Sequence, residues 1–477
     1  MRIVAPSGRP RIKHMVVPGR AGAPTLQQEV EMSTRTVGID VAIRGQHVAR
    51  MFDEHGKPVG GPLSFRTVAG ELRELVRAVR SGLRKGDRVV AVLEPTSMCW
   101  YPLARWLTRA GCTVIRVKGQ RVKALRRYLS EYAKTDALDA HVLGRLPAFG
   151  GPGLQPLYVP SAEQQALNRL TKQRVRYQEA ISATKRRLKD LIRWAHPALE
   201  GALPDLVTTV SLAVLEQYFD PRRMRRLGAM RLARFLRQHM GGSHPTHGPF
   251  AEELASKLIA AAGEALELYR ADDIDYGRLQ LEVNQEVRLL RLHREHVRQL
   301  EDEIARLYTT LHPEDHLRTL PGIGDTLSAS LLGVLHSWSR FGGQRRMRGF
   351  CGLFPRRNES GGTSRPGQRI TLGGNNRVKR DLMLAADVAR TVDPELARVY
   401  YQCMVAKGHH HRQALCAVAT RLVNRIFAVW RAGRSYELRD LEGRSIDLAA
   451  AKTLIRERLQ VPVEVRRSRR RSSVEAA

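Results

Sequence analysis

The sequence predicts an α/β layered domain in the N-terminal third of the chain, then two long heptad helices and a second, mainly helical domain. Three observations support this fold class. Strand and helix patterns alternate from Thr36 to about Ser130, apolar residues recur every seven positions in two later segments, and a loop rich in glycine and arginine interrupts the last helical region. The chain has 477 residues, more than one compact domain usually holds, so we expect two or three domains.

The N-terminal domain is predicted from the order of its strands and helices. Apolar and polar residues alternate in three short segments, and the later run "RVVAVLEPT" has the composition of a buried strand. We predict strands at 36–42, 46–53 and 61–67, a helix at 69–83, a strand at 88–96, a helix at 101–111, a strand at 112–117 and a helix near 122–130. The order βββαβαβα is similar to the RNase H-like plan.

Two helices with heptad patterns follow this domain. The first runs from Ser161 to Pro197, with Leu170, Tyr177 and Leu191 in one seven-residue series and Leu167, Ile181 and Leu188 in another. The second runs from about Asp275 to Leu311, with Val283, Leu290, Val297 and Ile304 seven apart and Leu300 and Leu307 beside them. Such stripes favour an antiparallel coiled-coil arm or a dimerisation element over an isolated exposed helix, with short helices in the insert between them.

The domain boundaries follow from these patterns. We expect a disordered basic tail at 1–34, the α/β domain at 35–158, the arm with its helical insert at 159–312, the mainly helical domain at 313–436 and an extension with a basic tail at 437–477. The first tail shows no periodicity and the last contains the run RRSRRRS. Both tails would add unspecific affinity for phosphates.

Positive charge dominates the composition. The chain has 80 Lys and Arg residues against 47 Asp and Glu residues, a formal net charge of +33. Because like charges repel each other in a compact protein, such an excess indicates a polyanionic partner, and nucleic acid is the usual one. A ribosomal protein or a membrane-surface protein is the alternative, and the acidic motifs described next argue against it.

Several classes of protein are disfavoured by what the sequence lacks. The five cysteines form no CxxC pair, no apolar run approaches membrane-spanning length, and no apolar signal core follows the basic N-terminal residues. We therefore expect a reduced cytoplasmic protein without a zinc knuckle or a membrane contact. No Walker A motif or dinucleotide fingerprint occurs, so ATP-driven and redox functions lack support.

Four carboxylates form the first candidate site. Asp40 lies within the apolar strand "VGIDVA", Glu94 ends the strand "VVAVLEPT", and Asp136 and Asp139 share one face of a predicted helix. Functional groups cluster at strand ends in open α/β sheets, and converging carboxylates would repel each other unless a hard cation such as Mg²⁺ joined them. Two such ions would polarise a phosphodiester. Each carboxylate taken alone is better explained as a salt bridge or a helix cap, whereas the set of four favours a metal site.

The segment Leu317–Leu335 is the second candidate site. It reads "LRTLPGIGDTLSASLLGVL" and resembles a helix-hairpin-helix. Gly322 and Gly324 permit a tight turn whose backbone N–H groups can hold a phosphate. We expect this turn to contact the DNA backbone without reading sequence. An ordinary corner between two helices is the alternative.

A loop of glycine, serine and arginine forms the third candidate site. Ser360 precedes Gly361 and Gly362, which leaves its hydroxyl uncrowded. The arginines able to hold phosphates around it are Arg356, Arg357, Arg365 and Arg369. A serine among guanidinium groups suits attack on a phosphodiester. On residue types alone a plain phosphate-binding loop is the commoner case, and Thr363 and Ser364 compete with Ser360 as the nucleophile.

The insert between the heptad helices contains a strongly basic run, "DPRRMRRLGAMRLARFLRQH", at Asp220–His239. We predict one basic helix there. Its arginines form either a solvated face or a surface that follows a nucleic-acid backbone, and the total charge favours the second interpretation.

Two sets of motifs, in the same order along the chain, resemble the bridge-RNA-guided insertion-sequence transposases of the IS one-ten family, which includes the Piv-type DNA invertases. The N-terminal half matches through "GIDVA", "LEPTSMCWYPLARWL" and "KTDALDAHVL". The C-terminal half matches through "LPGIGDTLSASLL", "FCGLFPRRNESGG" and "ITLGGNNRVKRDLMLAA". The resemblance covers most of the chain, from about Thr36 to Gly433.

The resemblance implies a mechanism. Its acidic tetrad would fall on Asp40, Glu94, Asp136 and Asp139 in a RuvC-like domain, and its catalytic serine on Ser360 in a C-terminal serine transposase domain. The serine would form a covalent phosphoserine link to DNA, and two subunits would join to complete each site. A structured RNA from the element would select donor and target DNA. We accordingly expect a Mg²⁺-dependent dimer or tetramer in the bacterial cytoplasm, associated with the nucleoid.

Three departures and three alternative functions accompany the resemblance. Ser97 stands where the family usually has Gly, Leu372 stands where it usually has Lys, and the extension before Ser33 is unusual.

The alternative functions are a dedicated DNA invertase, a RuvC-like junction nuclease that would leave Ser360 unexplained, and a non-catalytic nucleic-acid-binding protein. Loss of any tetrad carboxylate would have favoured a non-catalytic nucleic-acid-binding protein, but all four carboxylates are present.

Overall fold

A computed structural model of the chain describes most of its residues. The described ranges are 33–117, 119–129, 135–149, 154–203, 205–241, 247–354, 359–360, 363–364, 370–371 and 373–468. The basic N-terminal tail therefore lies outside them, apart from 33–34, as does most of the RRSRRRS run. The chain divides into two compact units, Met1–Val159 and Pro160–Ala477.

The first unit is built on a mixed five-stranded sheet. Its strands are β1 (Thr34–Asp40), β2 (His47–Phe52), β3 (Pro58–Phe65), β4 (Arg88–Leu93) and β5 (Thr113–Arg116). They lie in the order β3-β2-β1-β4-β5. The β1–β2 and β2–β3 pairs are antiparallel, whereas β4 is parallel to both of its neighbours. The α/β sheet predicted from the alternation of residues is confirmed.

Four helices cover this sheet. They are α1 (Ala69–Arg80), α2 (Trp100–Arg109), α3 (Gly119–Leu129) and α4 (Asp136–Arg145). Helix α4 packs closely on β1 because each element has a glycine at the contact, Gly38 in β1 and Gly144 in α4. A Cβ atom on Gly38 would lie 2.0 Å from the carbonyl oxygen of Ala140, and one on Gly144 would lie 2.2 Å from the Phe52 ring. This backbone contact fixes the height of α4 above the strand, so neither glycine can carry a side chain without moving the helix.

The second unit contains the two heptad helices, α5 (Ala162–Ala195) and α11 (Tyr276–Leu311). Their apolar stripes are buried against each other, with Leu188, Val283 and Leu290 fully enclosed. Two ion pairs show the direction of packing. Arg174 Nε lies 2.7 Å from Glu301 Oε1, and Arg187 Nε lies 2.8 Å from Glu286 Oε1. Because later residues of α5 meet earlier residues of α11, the helices are antiparallel.

The insert between these helices is a helical subdomain whose core is continuous with the adjoining ends of α5 and α11, including Leu188 and Val283. Its helices are α6 (Pro197–Ala202), α7 (Thr209–Tyr218), α8 (Pro221–Leu227), α9 (Ala229–Gln238) and α10 (His247–Leu268). The prediction of one basic helix over Asp220–His239 is wrong. Gly228 adopts φ 76° and ψ 157°, which no helix accommodates, so the run divides into α8 and α9.

The remaining helices surround a further hydrophobic core that includes Leu331, Leu382 and Val418. They are α12 (Asp325–Leu335), α13 (Gln344–Cys351), α14 (Asn376–Ala389), α15 (Pro394–Tyr401), α16 (His411–Ala432), α17 (Leu448–Arg458) and α18 (Val463–Ser468). Between α13 and α14, β6 (Glu359–Ser360) pairs with β7 (Thr363–Ser364). Within the described ranges, no helix combines the length and apolarity needed to cross a membrane.

The buried imidazole of His196 predicts a loss of stability in acid. His196 is fully buried between α5 and α6, and burial lowers its pKa to about 4. Between about pH 6.5 and about pH 4, His196 is therefore protonated in the unfolded chain but neutral in the folded chain. The free energy of unfolding should fall by about 3 kcal/mol as the pH is lowered across that window. Urea unfolding of wild type and His196→Phe at several pH values checks this. An equally steep loss in the variant would contradict the assignment.

Candidate active site

Asp40 and Glu94 lie at one edge of the sheet in the first unit. Strand β1 ends at Asp40 and β4 ends at Leu93, and the parallel register pairs Ile39 with Leu93. Each carboxylate therefore comes directly after the last pair of the parallel β1–β4 ladder, and Asp40 also pairs with Val48 of β2. Both side chains are half-buried. Gly119, at the start of α3, leaves room for Glu94, since a Cβ there would lie 2.3 Å from Glu94 Oε1.

Asp136 and Asp139 occupy the first turn of α4. Thr135 begins the helix, and its hydroxyl accepts a hydrogen bond of 3.2 Å from the Leu138 N–H. The helix crosses β1 at Gly38, two residues before Asp40, because a Cβ on Gly38 would meet the backbone of both Ala140 and Gly144. Asp139 directly precedes Ala140 at this crossing.

Asp139 is bound by an arginine. Arg126 Nη1 on α3 lies 2.7 Å from Asp139 Oδ1 and 2.9 Å from Oδ2. Both side chains are mostly shielded, with 18% of the arginine and 13% of the aspartate exposed. In the part of the chain that the structure describes, no group of three or more His, Cys, Asp or Glu side chains is arranged to hold a metal ion. The four carboxylates thus do not form a closed cluster in this structure.

His47 fixes the turn that follows Asp40. Its Nδ1 accepts a hydrogen bond of 3.1 Å from the Ala42 N–H, and its Nε2 lies 2.7 Å from Thr67 Oγ1. Burial lowers the pKa of this histidine, which favours the neutral ring that such an acceptor requires. Sequence reasoning did not identify His47 or Arg126, since neither lies in a recognisable motif.

Ser97 adopts a backbone conformation that favours glycine. Its φ of 50° lies in the left-handed region, two residues after Pro95 in the segment that follows Glu94. A glycine would occupy this turn without steric conflict. This conformation agrees with the glycine that the resemblance implies at this position, and Ser97 occupies the turn in its place.

The turn before α12 contains the two glycines of the second candidate site. Gly322 has φ 77°, and a Cβ on it would lie 2.2 Å from the carbonyl oxygen of Ala385 in α14. Close packing inside the domain therefore explains why residue 322 is a glycine. Gly324 precedes α12 and is exposed, with nothing within 4 Å of a Cβ. Beside it Asp325 pairs with Arg318 at 2.6 Å, which places a carboxylate where a phosphate would approach.

The loop that contains Ser360 is closed at its base. A Cβ on Gly352 would lie 2.4 Å from the carbonyl oxygen of Gly373, and one on Gly374 would lie 2.7 Å from the Cα of Gly352. The Thr371 N–H donates to the Phe354 carbonyl at 3.0 Å, and Lys379 Nζ donates to the Thr371 carbonyl at 2.9 Å. The chain thus leaves and returns at almost the same point.

Within this loop the backbone of Ser360 pairs with that of Thr363 in a short hairpin. The hairpin places Ser360 beside its turn, near both competing hydroxyl residues. The surroundings of the Ser360 side chain lie outside what the structure describes. Four predicted phosphate ligands also lie outside the described residues, namely Arg356, Arg357, Arg365 and Arg369.

The close contact of Gly352 with Gly373 and Gly374 at the base of the loop predicts that one added methyl group lowers the stability of the protein. Gly352→Ala would place a Cβ against the Gly373 carbonyl at a φ of 69°. We expect about 2 kcal/mol of lost stability, from the left-handed backbone and the displaced loop. Gly349→Ala is the matched control, since Gly349 lies inside α13 and a Cβ there meets nothing within 4 Å. Thermal unfolding of both variants checks the prediction, and equal stabilities would contradict it.

Two sequence families match the chain, in the order of the two candidate regions. Residues 37–197 match a family of DEDD type described as "Transposase", and residues 314–402 match the family described as "Transposase IS116/IS110/IS902 family". Together the two matches cover just over half of the chain. The first match contains all four carboxylates, and the second contains Gly322, Gly324 and Ser360.

Curated relatives extend over a larger part of the chain. A 43.6-kDa protein of insertion element IS110 from Streptomyces coelicolor is 29% identical over 422 residues, which are 87% of this chain and 98% of that protein. A 44.8-kDa protein of insertion element IS116 from Streptomyces clavuligerus is 25% identical over 85% of this chain and 98% of its own length. A pilin gene-inverting protein from Moraxella lacunata is 26% identical over 123 residues, 38% of its length. The chain belongs to the IS116/IS110/IS902 family of transposases.

Proposed function

We propose that this protein cuts and rejoins DNA strands to move an insertion sequence, using a Mg²⁺ site of four carboxylates and a serine nucleophile. The first unit would then be an RNase H-like domain. The observation that carries the proposal is that Asp40 and Glu94 each directly follow the last residue pair, Ile39 with Leu93, of the parallel β1–β4 ladder. Membership of a transposase family supports DNA as the substrate.

The candidate residues fit Mg²⁺ in their chemistry. All four candidate ligands offer carboxylate oxygens, which Mg²⁺ prefers, and Gly119 leaves the space that Glu94 needs. The ligands would be Asp40, Glu94, Asp136 and Asp139. The Arg126 guanidinium now neutralises Asp139, so Arg126 must release that carboxylate before a metal takes its place. A bound Mg²⁺ supplies Lewis-acid polarisation of a phosphodiester oxygen.

Ser360 is the proposed nucleophile. Its Oγ would form an ester bond to phosphorus while one P–O bond of the DNA backbone breaks, and the serine proton would end on the departing DNA hydroxyl. Rejoining reverses the exchange with another DNA hydroxyl, so the energy of the phosphodiester is conserved and no nucleotide cofactor is consumed. The arginines near Ser360 in sequence would stabilise charge on the phosphate.

A guide RNA and an oligomer complete the proposal. The net charge of +33 exceeds what one short DNA contact needs, which supports a second polyanion such as a structured RNA from the element. The long antiparallel helices α5 and α11 supply a rigid arm that suits a dimer or tetramer. A second candidate function is site-specific inversion, because the Moraxella relatives are named pilin gene-inverting proteins.

Covalent capture tests the proposal. The full chain is expressed together with the noncoding DNA that flanks its element, and the purified complex receives labelled donor and target DNA with Mg²⁺ or with EDTA. We expect a protein–DNA adduct on a denaturing gel with Mg²⁺ and none with EDTA. Nicked DNA without an adduct would overturn the serine step and favour a RuvC-like nuclease. No cleavage by a complex that binds DNA would favour a non-catalytic binding protein.

A further inference from the structure

The arginines of the helical insert differ from those of the arm beside it. On α5 and α11 many arginines form an ion pair with a nearby carboxylate. Examples are Arg174–Glu301, Arg187–Glu286 and Arg291–Glu216. On α8 and α9 the opposite holds. Seven arginines occupy residues 221–238 and no acidic residue does. Much of the arm's positive charge is therefore paired, whereas in the part of the chain that the structure describes only Arg222 of α8 and α9 pairs with a carboxylate.

We define the insert patch as the exposed arginines of α8 and α9 for which, among the described residues, the structure shows neither a carboxylate partner nor a hydrogen bond to a backbone carbonyl. Its members are Arg223, Arg225, Arg226, Arg234 and Arg237. The other two arginines have structural contacts. Arg222 pairs with Asp220 at 3.1 Å and lies over the Tyr276 ring, and Arg231 donates to the Leu227 carbonyl at 2.9 Å. These two consecutive short helices thus carry five exposed guanidinium groups without such partners in the described ranges.

The patch is held on a rigid base. Met224 in α8 and Leu232 and Leu236 in α9 are fully buried in the core of the insert. Arg225 lies against α10, since a Cβ on Gly263 would be 3.4 Å from its Nη1. A recess of about 730 Å³ opens beside Leu266, lined by Asp220, Arg222, Arg225 and Arg226. The helices that carry the guanidinium groups are therefore held in place by the core, so no backbone has to be ordered on binding.

We propose that the insert patch is a docking surface for the backbone of duplex DNA. Arg234 and Arg237 are three residues apart and therefore lie on the same face of α9. Each guanidinium group offers a fork of N–H donors that suits phosphate oxygens. The surface would bind DNA without reading its sequence.

Other partners fit the patch less well. Single-stranded nucleic acid needs exposed aromatic rings for base stacking, but Phe235, the sole aromatic of α8 and α9, is half-buried against Tyr218 and His239. A membrane-bound helix would present its apolar face to lipid, and here that face is enclosed in the core. Duplex RNA shares the phosphate chemistry. The assignment to DNA rests on the proposed function, in which DNA is the substrate.

The test removes three guanidinium groups while preserving the fold. Arg225→Gln, Arg226→Gln and Arg234→Gln are combined in the full chain. The control combines Arg278→Gln, Arg298→Gln and Arg306→Gln, which removes the same charge from arginines already paired on α11. Affinity for a duplex of about 30 base pairs is measured from low to physiological salt. Each lost phosphate contact should lower the salt slope by about one.

We expect the patch variant to bind duplex DNA about 10- to 100-fold more weakly near 0.1 M salt, with a slope smaller by about two or three. The control should bind like wild type. Equal affinities of patch variant and wild type would overturn the proposal, and so would a loss confined to duplex RNA measured in parallel. A variant with arginine replaced by lysine at the same three positions should retain most binding, and its failure would also overturn it.

This result is separable from the proposed function. Binding is measured without Mg²⁺ and without strand cleavage, so it does not depend on Ser360 or on the carboxylates. If wild type forms no adduct but the patch variant loses DNA affinity, the docking surface stands and the chemistry fails. If wild type forms the adduct and the patch variant binds DNA normally, the chemistry stands and the docking surface fails.

Discussion

Replacing Ser360 with alanine is expected to abolish the covalent protein–DNA adduct and to lower strand exchange by at least about 1000-fold, as loss of an enzyme nucleophile does. Binding of DNA should remain within a few-fold of wild type, because one neutral hydroxyl adds little to a phosphate-dominated interface. The measurements are a denaturing gel with labelled DNA and a binding isotherm on the same preparation.

The nearby hydroxyl residues are the matched controls for this variant. Thr363 pairs with Ser360 across the hairpin, and Ser364 pairs with Glu359. Thr363→Val and Ser364→Ala should both retain the adduct. If Ser360→Ala still forms an adduct and one of these variants does not, the nucleophile has been assigned to the wrong residue. If all three form it, the serine mechanism in this loop is refuted.

Replacing Asp40 with asparagine is expected to lower Mg²⁺-dependent cleavage by at least about 100-fold, since the change removes a charged oxygen ligand at nearly constant size. Strand β1 should fold as before, because an amide can occupy the half-buried edge position. Asp53→Asn is the control. Asp53 lies in the same sheet, at the turn after β2, where its Oδ1 accepts N–H bonds from His55 and Lys57 at 3.0 and 2.8 Å.

A second readout separates metal binding from activity. Mn²⁺ titration of the DNA-free protein should give weaker binding for Asp40→Asn than for Asp53→Asn. Unchanged cleavage and unchanged Mn²⁺ affinity in Asp40→Asn would remove Asp40 from the metal site. Unchanged Mn²⁺ affinity with lost cleavage would instead make Asp40 a contact to DNA.

The elements of the first unit could be predicted because their patterns are local. Alternation of apolar residues identified β1, β2 and β3 within a few positions, and β4 is shorter than predicted because Pro95 cannot continue the ladder. The heptad series likewise identified α5 and α11. Such signals depend on neighbouring residues only, so one sequence suffices to read them.

The contacts around the candidate site could not be predicted, because they depend on how elements cross. Arg126 is thirteen residues from Asp139 and reaches it only through the packing of α3 beside α4. The contact of Gly352 with Gly374 joins the two ends of a loop, and sequence reasoning saw there only a glycine-rich composition. Gly228 was visible in the basic run, but its helix-breaking φ depends on how α8 and α9 pack on the insert core.

The ends of the insert meet at one point, and this has a consequence for how the family can diversify. Tyr276 at the start of α11 donates a hydrogen bond of 2.6 Å to the carbonyl of Ala195 at the end of α5. A different helical module could therefore replace the insert without shifting the heptad register, provided that it covers the apolar residues that α5 and α11 present to the shared core. The junction of these two helices is a point where lineages can exchange an accessory module while the rest of the chain evolves separately.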